Sequence, residues 1–511
     1  MDQITRSTTA KGIPILSLQH IYRTKKLKSH LILHKKAYGE TMNLIEELAK
    51  IVGPSYVSDD LWVRWSYSMD SSIYDHIEPT PPAIVVRPKS IEEVQEIIRL
   101  ANMTKTPVYP RGGGTACAGP RGGKMLSSIL IDMTRMNDII EIDEESLTVT
   151  AQAGTTWGKL NAELEKKGWR LGFRGPYSGY ASTVGGGVAF HSTGMGSTRY
   201  GLIPEEVTNL TVVLPNGDLL KTGTAVNPKA KRYYRYCIGP DLAGIFLGSL
   251  GTLGVITEVT IRMYPKSTHS AFGAYAFRDY KSCQACYYEW LKNGLAEDLW
   301  WYAEDGLNVM VPELAEKGYV SMLAYVVEDV SNALVEARKN LLDQIAVEKG
   351  GEPQDPKYSK DGWDYKFETL PRWVSKIGVW QWCCHLNTAG GALKDLEKVL
   401  HYINSRKEER ERKKVYSATI SIAQKNAGHV STSIYYDESD PESVKLAKEM
   451  VNEIVRIAAE CGGCNYKPGK QWYAYTIMKN PVYRDTLIRI KKALDPNNIM
   501  NPGALTLPDE L

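Results

Sequence analysis

Hydrophobic and polar positions alternate along this chain with two periods, and the switch between them predicts its elements. Residues 41–56 repeat apolar side chains at helical spacing (Met42, Leu44, Ile45, Leu48, Ile51), which predicts an amphipathic helix. An acid- and aromatic-rich loop, Ser66-Tyr67-Ser68-Met69-Asp70, follows, and Pro79, Pro81 and Pro82 exclude helix and mark a boundary. Ala83-Ile84-Val85-Val86 predicts a short buried strand. Ser90 with Glu93 forms a capping box ahead of a helical face of Val94, Ile97, Ile98 and Ala101. Val108-Tyr109 is a second strand running directly into Arg111-Gly112-Gly113-Gly114-Thr115. Strands are expected at 128–133 and 146–152, with a helix near 156–167. Asn216-Gly217 predicts a hairpin between strands 210–214 and 219–221. Val255, Thr257, Val259, Ile261 and Met263 alternate as a half-buried strand.

After Pro265 the order changes. Strands at 271–277 and 319–327 go with helices at 280–293 and 331–347, and strands at 415–423 and 429–437 precede a helix at 441–460. That order predicts an antiparallel sheet with helices on one face, an α+β domain. The charge run Ser405–Lys414 reads as a solvated face, and 481–505 as a helix ending in Asp495-Pro496-Asn497-Asn498. No internal repeat is present.

Composition narrows the function classes. The chain has 511 residues, enough for two to four domains at roughly 100–200 residues each. With 43% hydrophobic and 24% charged residues it is an ordinary globular chain. No apolar run approaches the ~20 residues of a membrane span. The net charge of +3 gives no argument for nucleic acid. Eight cysteines are too sparse for a disulfide scaffold and suggest a reducing compartment, so the expected location is the cytoplasm. Only the N-terminal arm is strongly basic, with eight Lys/Arg and one acid in residues 1–36.

Three glycine clusters carry the chemical signal: Arg111–Gly119 (RGGGTACAG), Gly185-Gly186-Gly187 after Tyr180-Ala181-Ser182-Thr183, and Gly248–Gly254 leading into a strand. Adjacent glycines let the backbone turn tightly and offer bare N–H groups to an anion. The first cluster is not a G-x-x-x-x-G-K-[ST] phosphate loop, because its lysine is missing, nor a G-x-G-x-x-G opening a helix. Three such loops in one α/β region fit a dinucleotide, with ordinary turns as the alternative. Cys283-x-x-Cys286 and Cys461-x-x-Cys464 have metal-ligand spacing, but the first pair falls on a helix and structural thiols are the expected reading.

Residues 79–266 resemble the FAD-binding domain of the FAD-linked oxidase superfamily, the vanillyl-alcohol oxidase and p-cresol methylhydroxylase type, also similar to the flavin chain of glycolate oxidase and to D-lactate dehydrogenases. The matching segments are PPAIVVRPKSIEEVQEIIRLAN, VYPRGGGTACAG, ASTVGGG, STRYG, VVLPNGDLL and PDLAGIFLGSLGTLGVITEVTIRMYP; DPNNIMNPG at 495–503 resembles the C-terminal signature. The resemblance implies a two-subdomain FAD-binding domain plus an α+β cap. The expected divisions are a basic arm (1–40), an FAD-binding domain (41–269), a substrate-binding cap (270–465) and a C-terminal segment returning to the FAD domain (466–511).

It further implies that Pro110, Arg111, Gly112, Gly113, Gly114, Thr115, Ala116 and Gly119 hold the pyrophosphate region. Ser182, Thr183, Gly186 and Gly187 would contact the pyrophosphate, ribityl or flavin region. Gly251, Gly254, Val255, Ile256 and Asn501 would complete the site. FAD would be non-covalent, because no histidine stands near Thr115, with a covalent link from His191, His385 or Cys384 as the alternative. The 2-hydroxy-acid branch places metal ligands at a Gly-His and a second His seven residues on, and in a Glu-His stretch. Here Gly428-His429 is followed by Tyr436, and Cys464-Asn465-Tyr466-Lys467 replaces Glu-His, so no metal is expected. Tyr466 and Lys467 resemble the Tyr-Arg pair of phenol-oxidising relatives. His191, His385, His429 and Arg372 are further candidates for acid/base or anion-anchoring roles.

The implied activity is oxidation of a hydroxyl-bearing carbon, with a 2-hydroxy acid such as D-lactate or glycolate as leading substrate. A para-substituted phenol or aryl alcohol is the alternative; a flavin-binding electron-transfer subunit is the alternative of another class. An iron–sulfur or electron-transfer protein is an expected acceptor, within a homo-oligomer or a heteromeric complex that can lie at a membrane through a partner.

Overall fold

The computed structural model describes residues 43–70, 79–116, 123–368, 385–391, 396–425, 427–465 and 469–508; for 385–391, 396 and 470 it describes the backbone alone. Two hydrophobic cores organise these residues, one within 44–263 and the C-terminal stretch, the other within 271–454.

The first domain holds two sheets. In the smaller, the strands run in the order Val57–Ser58, Ile84–Val86, Ile129–Asp132, Val108–Arg111, the last three parallel. The helix Ile91–Thr104 follows the second of these in sequence. Ser90 Oγ accepts the Glu93 N–H, two acids sit in the first turn, and Val94, Ile97, Ile98 and Ala101 are buried. The expected capping box forms by half: the Glu93 carboxylate takes the Lys89 N–H at 2.7 Å instead of that of Ser90. The larger sheet is antiparallel, in the order Ile139–Asp143, Thr148–Gln152, Val255–Pro265, Val207–Val213, Leu219–Lys221, with Trp169–Leu171 also paired to the central strand. The Asn216-Gly217 turn closes as expected, with Gly217 at φ +83° and Leu214 bonded to Asp218. The strand from Val255 is not half-buried. It lies at the centre of its sheet, and its polar positions are satisfied internally: Thr260 Oγ1 meets Thr150 Oγ1 at 2.9 Å and Thr257 donates to the Thr211 carbonyl at 3.0 Å.

The second domain is a seven-stranded antiparallel sheet, ordered Glu352–Gln354, His269–Phe277, Ser321–Asp329, Asp298–Tyr302, Tyr416–Gln424, Ala427–Tyr435, His385–Gly391. Helices Tyr280–Asn293, Asn332–Glu348 and Pro441–Glu460 pack on one face, against Tyr275, Trp301, Leu323 and Ile434. The expectation of helices on one face alone is corrected. Short helices Glu304–Met310 and Pro312–Glu316 cover part of the other face. Met195 and Tyr177 of the first domain, with Trp363, pack there against Trp300, Ala324, Val326 and Ile422. The strand Asp298–Tyr302 escapes sequence reading because it is almost wholly buried on both sides and shows no alternation. Cys283 and Cys286 lie buried in the first of the long helices, where desolvation raises their thiols.

A buried ionic cluster joins the domains. The fully buried Glu297 side chain faces Arg170 at 3.0 Å, Arg199 at 3.2 Å and Arg174 at 3.6 Å, and Arg174 reaches Glu328 at 2.7 Å. Next to it, Asp298 accepts from the Gly196 N–H and the Thr198 hydroxyl. The final helix, Pro481–Leu494, ends at the expected Asp495, which folds its carboxylate onto the N–H groups of Ile499 and Met500. The tail then runs beside Val108, whose N–H donates to Ile499.

Removing one partner of a buried ion pair leaves charge uncompensated, at a cost of about 3–5 kcal/mol. Glu297→Gln is therefore expected to destabilise the protein by about 3 kcal/mol in denaturant unfolding. A loss below about 0.5 kcal/mol would show that the three arginines do not depend on this carboxylate.

Candidate active site

The three glycine segments converge on one cleft at the end of the strand Val108–Arg111. Their meeting is steric. A Cβ on Gly113 would stand 1.8 Å from the Ala181 carbonyl oxygen, and one on Gly112 2.2 Å from Thr183 Oγ1. The first loop thus lies directly on the second, backbone against backbone. Thr183 caps the short helix Val184–Ala189, its hydroxyl accepting the Gly186 N–H at 3.2 Å. Gly251, at φ +70°, brings the third loop against Pro110.

Pro110, Arg111, Gly112, Gly113, Gly114, Thr115, Ala116, Ser182, Thr183, Gly186, Gly187, Gly251, Gly254, Ile256 and Asn501 all line the cleft. Val255 does not: it points into the core between two lining neighbours, as strand alternation requires. Gly119 lies outside the described residues. Asp70, Pro176, Ser178, Phe190, Ser192 and Leu250 also line the cleft and have no sequence signal of their own. Arg111 lines the cleft with its guanidinium packed on Gly114. Its Nη1 donates to the carbonyls of Tyr67 (3.2 Å) and Met69 (3.0 Å), which fastens the loop carrying Asp70. Tyr67 in turn donates to Asp132 at 2.6 Å; burial, then that bond, pushes its phenol up to about 12. Anion binding in the cleft can draw on the backbone N–H groups of the glycine turns, with the Arg111 guanidinium beside Gly114.

The candidate reacting groups separate. His191 (φ +50°) is not part of the lining, although Phe190 and Ser192 on either side are. Its ring packs on Gly248 and bonds the Leu247 carbonyl, and burial lowers its pKa. His429 is 1% exposed and pairs with Ile422 and Gly390. The register aligns it with Trp300, on the sheet face that meets Met195 and Tyr177. On the same face Gln424 donates to Thr193 Oγ1 at 3.1 Å, which ties this strand to the segment after Ser192; no motif announces that bond. His385 opens its strand opposite Ile434. Arg372, Tyr466 and Lys467 lie outside the described residues. Tyr473, just beyond them, packs with Phe190, Leu250 and Ala116 at the cleft wall. Among the described residues no group of three His, Cys, Asp or Glu side chains could hold a metal ion.

A cleft floored by three glycine turns suits FAD, and comparison with known proteins agrees. Residues 82–223 match the family model of the FAD binding domain, and residues 315–505 match that of the C-terminal domain of FAD linked oxidases. The chain belongs to the FAD-linked oxidases. It is an FAD-dependent oxidoreductase. The mitochondrial D-lactate dehydrogenase [cytochrome] of Arabidopsis thaliana is 29% identical over 84% of this chain and 74% of its own length. The 4-ethylphenol oxidase of Gulosibacter chungangensis superposes with TM-score 0.77 at 19% identity, covering 91% of this chain and 97% of its own. p-Cresol methylhydroxylase does so with TM-score 0.77 at 17% identity, over 93% and 98%. The fold is theirs: an FAD-binding domain of the p-cresol methylhydroxylase type with an α+β second domain.

Gly113→Ala is expected to lower FAD affinity at least about tenfold, because a methyl group forces the two loops apart. Purified variant protein, folded by circular dichroism, would carry little flavin absorbance. A full complement of flavin would remove this loop contact from the cofactor site.

Proposed function

We propose that this oxidoreductase acts on the hydroxyl-bearing carbon of a small 2-hydroxy acid, of the kind represented by D-lactate or glycolate, with FAD held non-covalently. The likeness to a D-lactate dehydrogenase over most of both chains carries the reading. When bound, FAD supplies the two-electron acceptor. The chain supplies position and proton handling. The glycine turns fix the cofactor in the cleft; the second domain meets the segment after the lining residue Ser192 through the sheet face that bears His429, which is itself not a lining residue. A buried imidazole on that face is suited to take the substrate hydroxyl proton. No histidine or cysteine stands among the described lining residues, which supports non-covalent binding.

A second reading, a phenol or aryl alcohol, is favoured by one observation. The rows beside His429 are largely aromatic and aliphatic: Trp300 and Ile422 in its own row, Tyr302 and Ile420 in the next, where Ser431 adds a hydroxyl. Both readings require an acceptor for the reduced cofactor, for which a separate iron–sulfur or electron-transfer protein is our candidate. No helix among the described residues is long and apolar enough to cross a membrane.

Anaerobic mixing with a panel of D- and L-2-hydroxy acids, para-substituted phenols and aryl alcohols separates these readings through loss of the oxidised-flavin absorbance. We expect a hydroxy acid to bleach it. His429→Ala should keep its FAD and slow bleaching by about 10²–10⁴-fold, the usual range for a lost acid/base group. Bleaching by phenols alone would replace the first reading with the second; a flavin bleached by nothing would favour an electron-transfer role within a larger complex.

A further inference from the structure

Lys491 is a cation in an improbable place. Its side chain is fully buried on the inner face of the helix Pro481–Leu494. Its ammonium donates to the Thr252 carbonyl at 2.8 Å, to the Met500 carbonyl at 2.6 Å and to the Asp495 carboxylate. Asp495 itself accepts the N–H groups of Ile499 and Met500, at 3.1 and 2.8 Å. One charge therefore fastens three separate stretches: the last helix, the third glycine loop and the tail. A buried ammonium is retained only where its three donors are all matched, as here.

The tail holds the same loop a second time. Asn501 Nδ2 donates to the Leu250 carbonyl at 2.7 Å, and its backbone N–H to the Val108 carbonyl at 2.9 Å. Farther on, the Leu505 N–H donates to the Tyr473 hydroxyl at 3.1 Å. The tail adopts strained backbone to do so. Asn498, Asn501, Leu505 and Thr506 all have positive φ, between +39° and +60°. Non-glycine residues hold that conformation only where their surroundings over-determine it. The residues so fixed, Leu250 and Gly251, are lining residues of the cofactor cleft, and Gly254 follows. Lys491 is not a lining residue and reaches the cleft through Thr252, next to Gly251, and Met500, next to Asn501.

We propose that residues 495–506 form a strap that sets the third glycine loop at the cofactor cleft, with Lys491 as its positioning residue. Closing the strap and binding FAD are then coupled, and by linkage each strengthens the other. The inference rests on the cleft being the FAD site.

The test uses the full chain, stripped of FAD and reloaded, with hydrogen exchange followed by mass spectrometry. In the unmodified protein FAD is expected to slow exchange of residues 495–506 at least about tenfold, within the usual range of coupling. In Lys491→Met the FAD dissociation constant should rise by a similar factor and the FAD-dependent protection should vanish. Exchange of the helix Asn332–Glu348, in the second domain, should stay as it was. The double variant Lys491→Met/Asp495→Asn avoids a stranded carboxylate, and should show the same loss if the single variant folds poorly. Exchange of 495–506 that ignores FAD, in protein that binds it, overturns the strap. An FAD dissociation constant within about twofold of normal in a folded Lys491 variant overturns the role of that residue. Failure of the unmodified protein to bind FAD overturns both the strap and the cofactor reading beneath it.

Discussion

The approach of two backbones, with no side chain between them, sets the geometry from which the rest of this protein follows. Gly112 and Gly113 press on the Ala181–Thr183 turn so closely that even a methyl group would collide with it. Everything around that contact delivers one side of it. The parallel strand Val108–Arg111 ends where the first loop must begin. The antiparallel strand Val255–Pro265 brings the third loop to Pro110, and the short helix Val184–Ala189 holds the second through its Thr183 cap. A dinucleotide bound there meets backbone amides of the glycine turns. Arg111, the one cation in that first loop, rests on Gly114 and also secures the Tyr67–Asp70 loop.

The second domain needs its own anchor, and electrostatics supplies it. Glu297 is buried among three arginines, so the interface carries a cluster of paired charges beside the apolar contact of Met195 and Tyr177 with Trp300 and Ile422. Asp298, beside it, is held by Gly196 and Thr198, while burial pushes its carboxyl up to about 7. These acids come from the start of the strand that also carries Trp300, whose row continues through Ile422 to His429. The anchor and the candidate reacting face are thus parts of one sheet, and loosening the first would displace the second.

Much of the cofactor cleft is legible in the sequence, because glycine runs report a local backbone requirement that no distant contact can replace. Val255 departs from expectation since strand alternation turns it inward while Gly254 and Ile256 reach the cleft. His191 stands in the right segment, yet its left-handed backbone turns the ring onto Gly248. The parallel strands and long helices are readable from their periods. Asp298–Tyr302 is not, because burial on both faces erases alternation, nor is the short pairing strand Glu352–Gln354. Nothing local in the sequence marks the Gln424–Thr193 bond or the position of Lys491. Both depend on residues more than two hundred positions apart.

If the cleft between these glycine turns holds FAD without a covalent bond, the cofactor must leave when the fold is destroyed. Acid precipitation of the purified protein, followed by chromatography of the supernatant, tests this directly. We expect about one FAD released per chain, with a colourless pellet, as for a cofactor bound without a covalent link. Flavin remaining with the precipitated chain would contradict non-covalent binding, and absence of flavin from both pellet and supernatant would contradict the site itself.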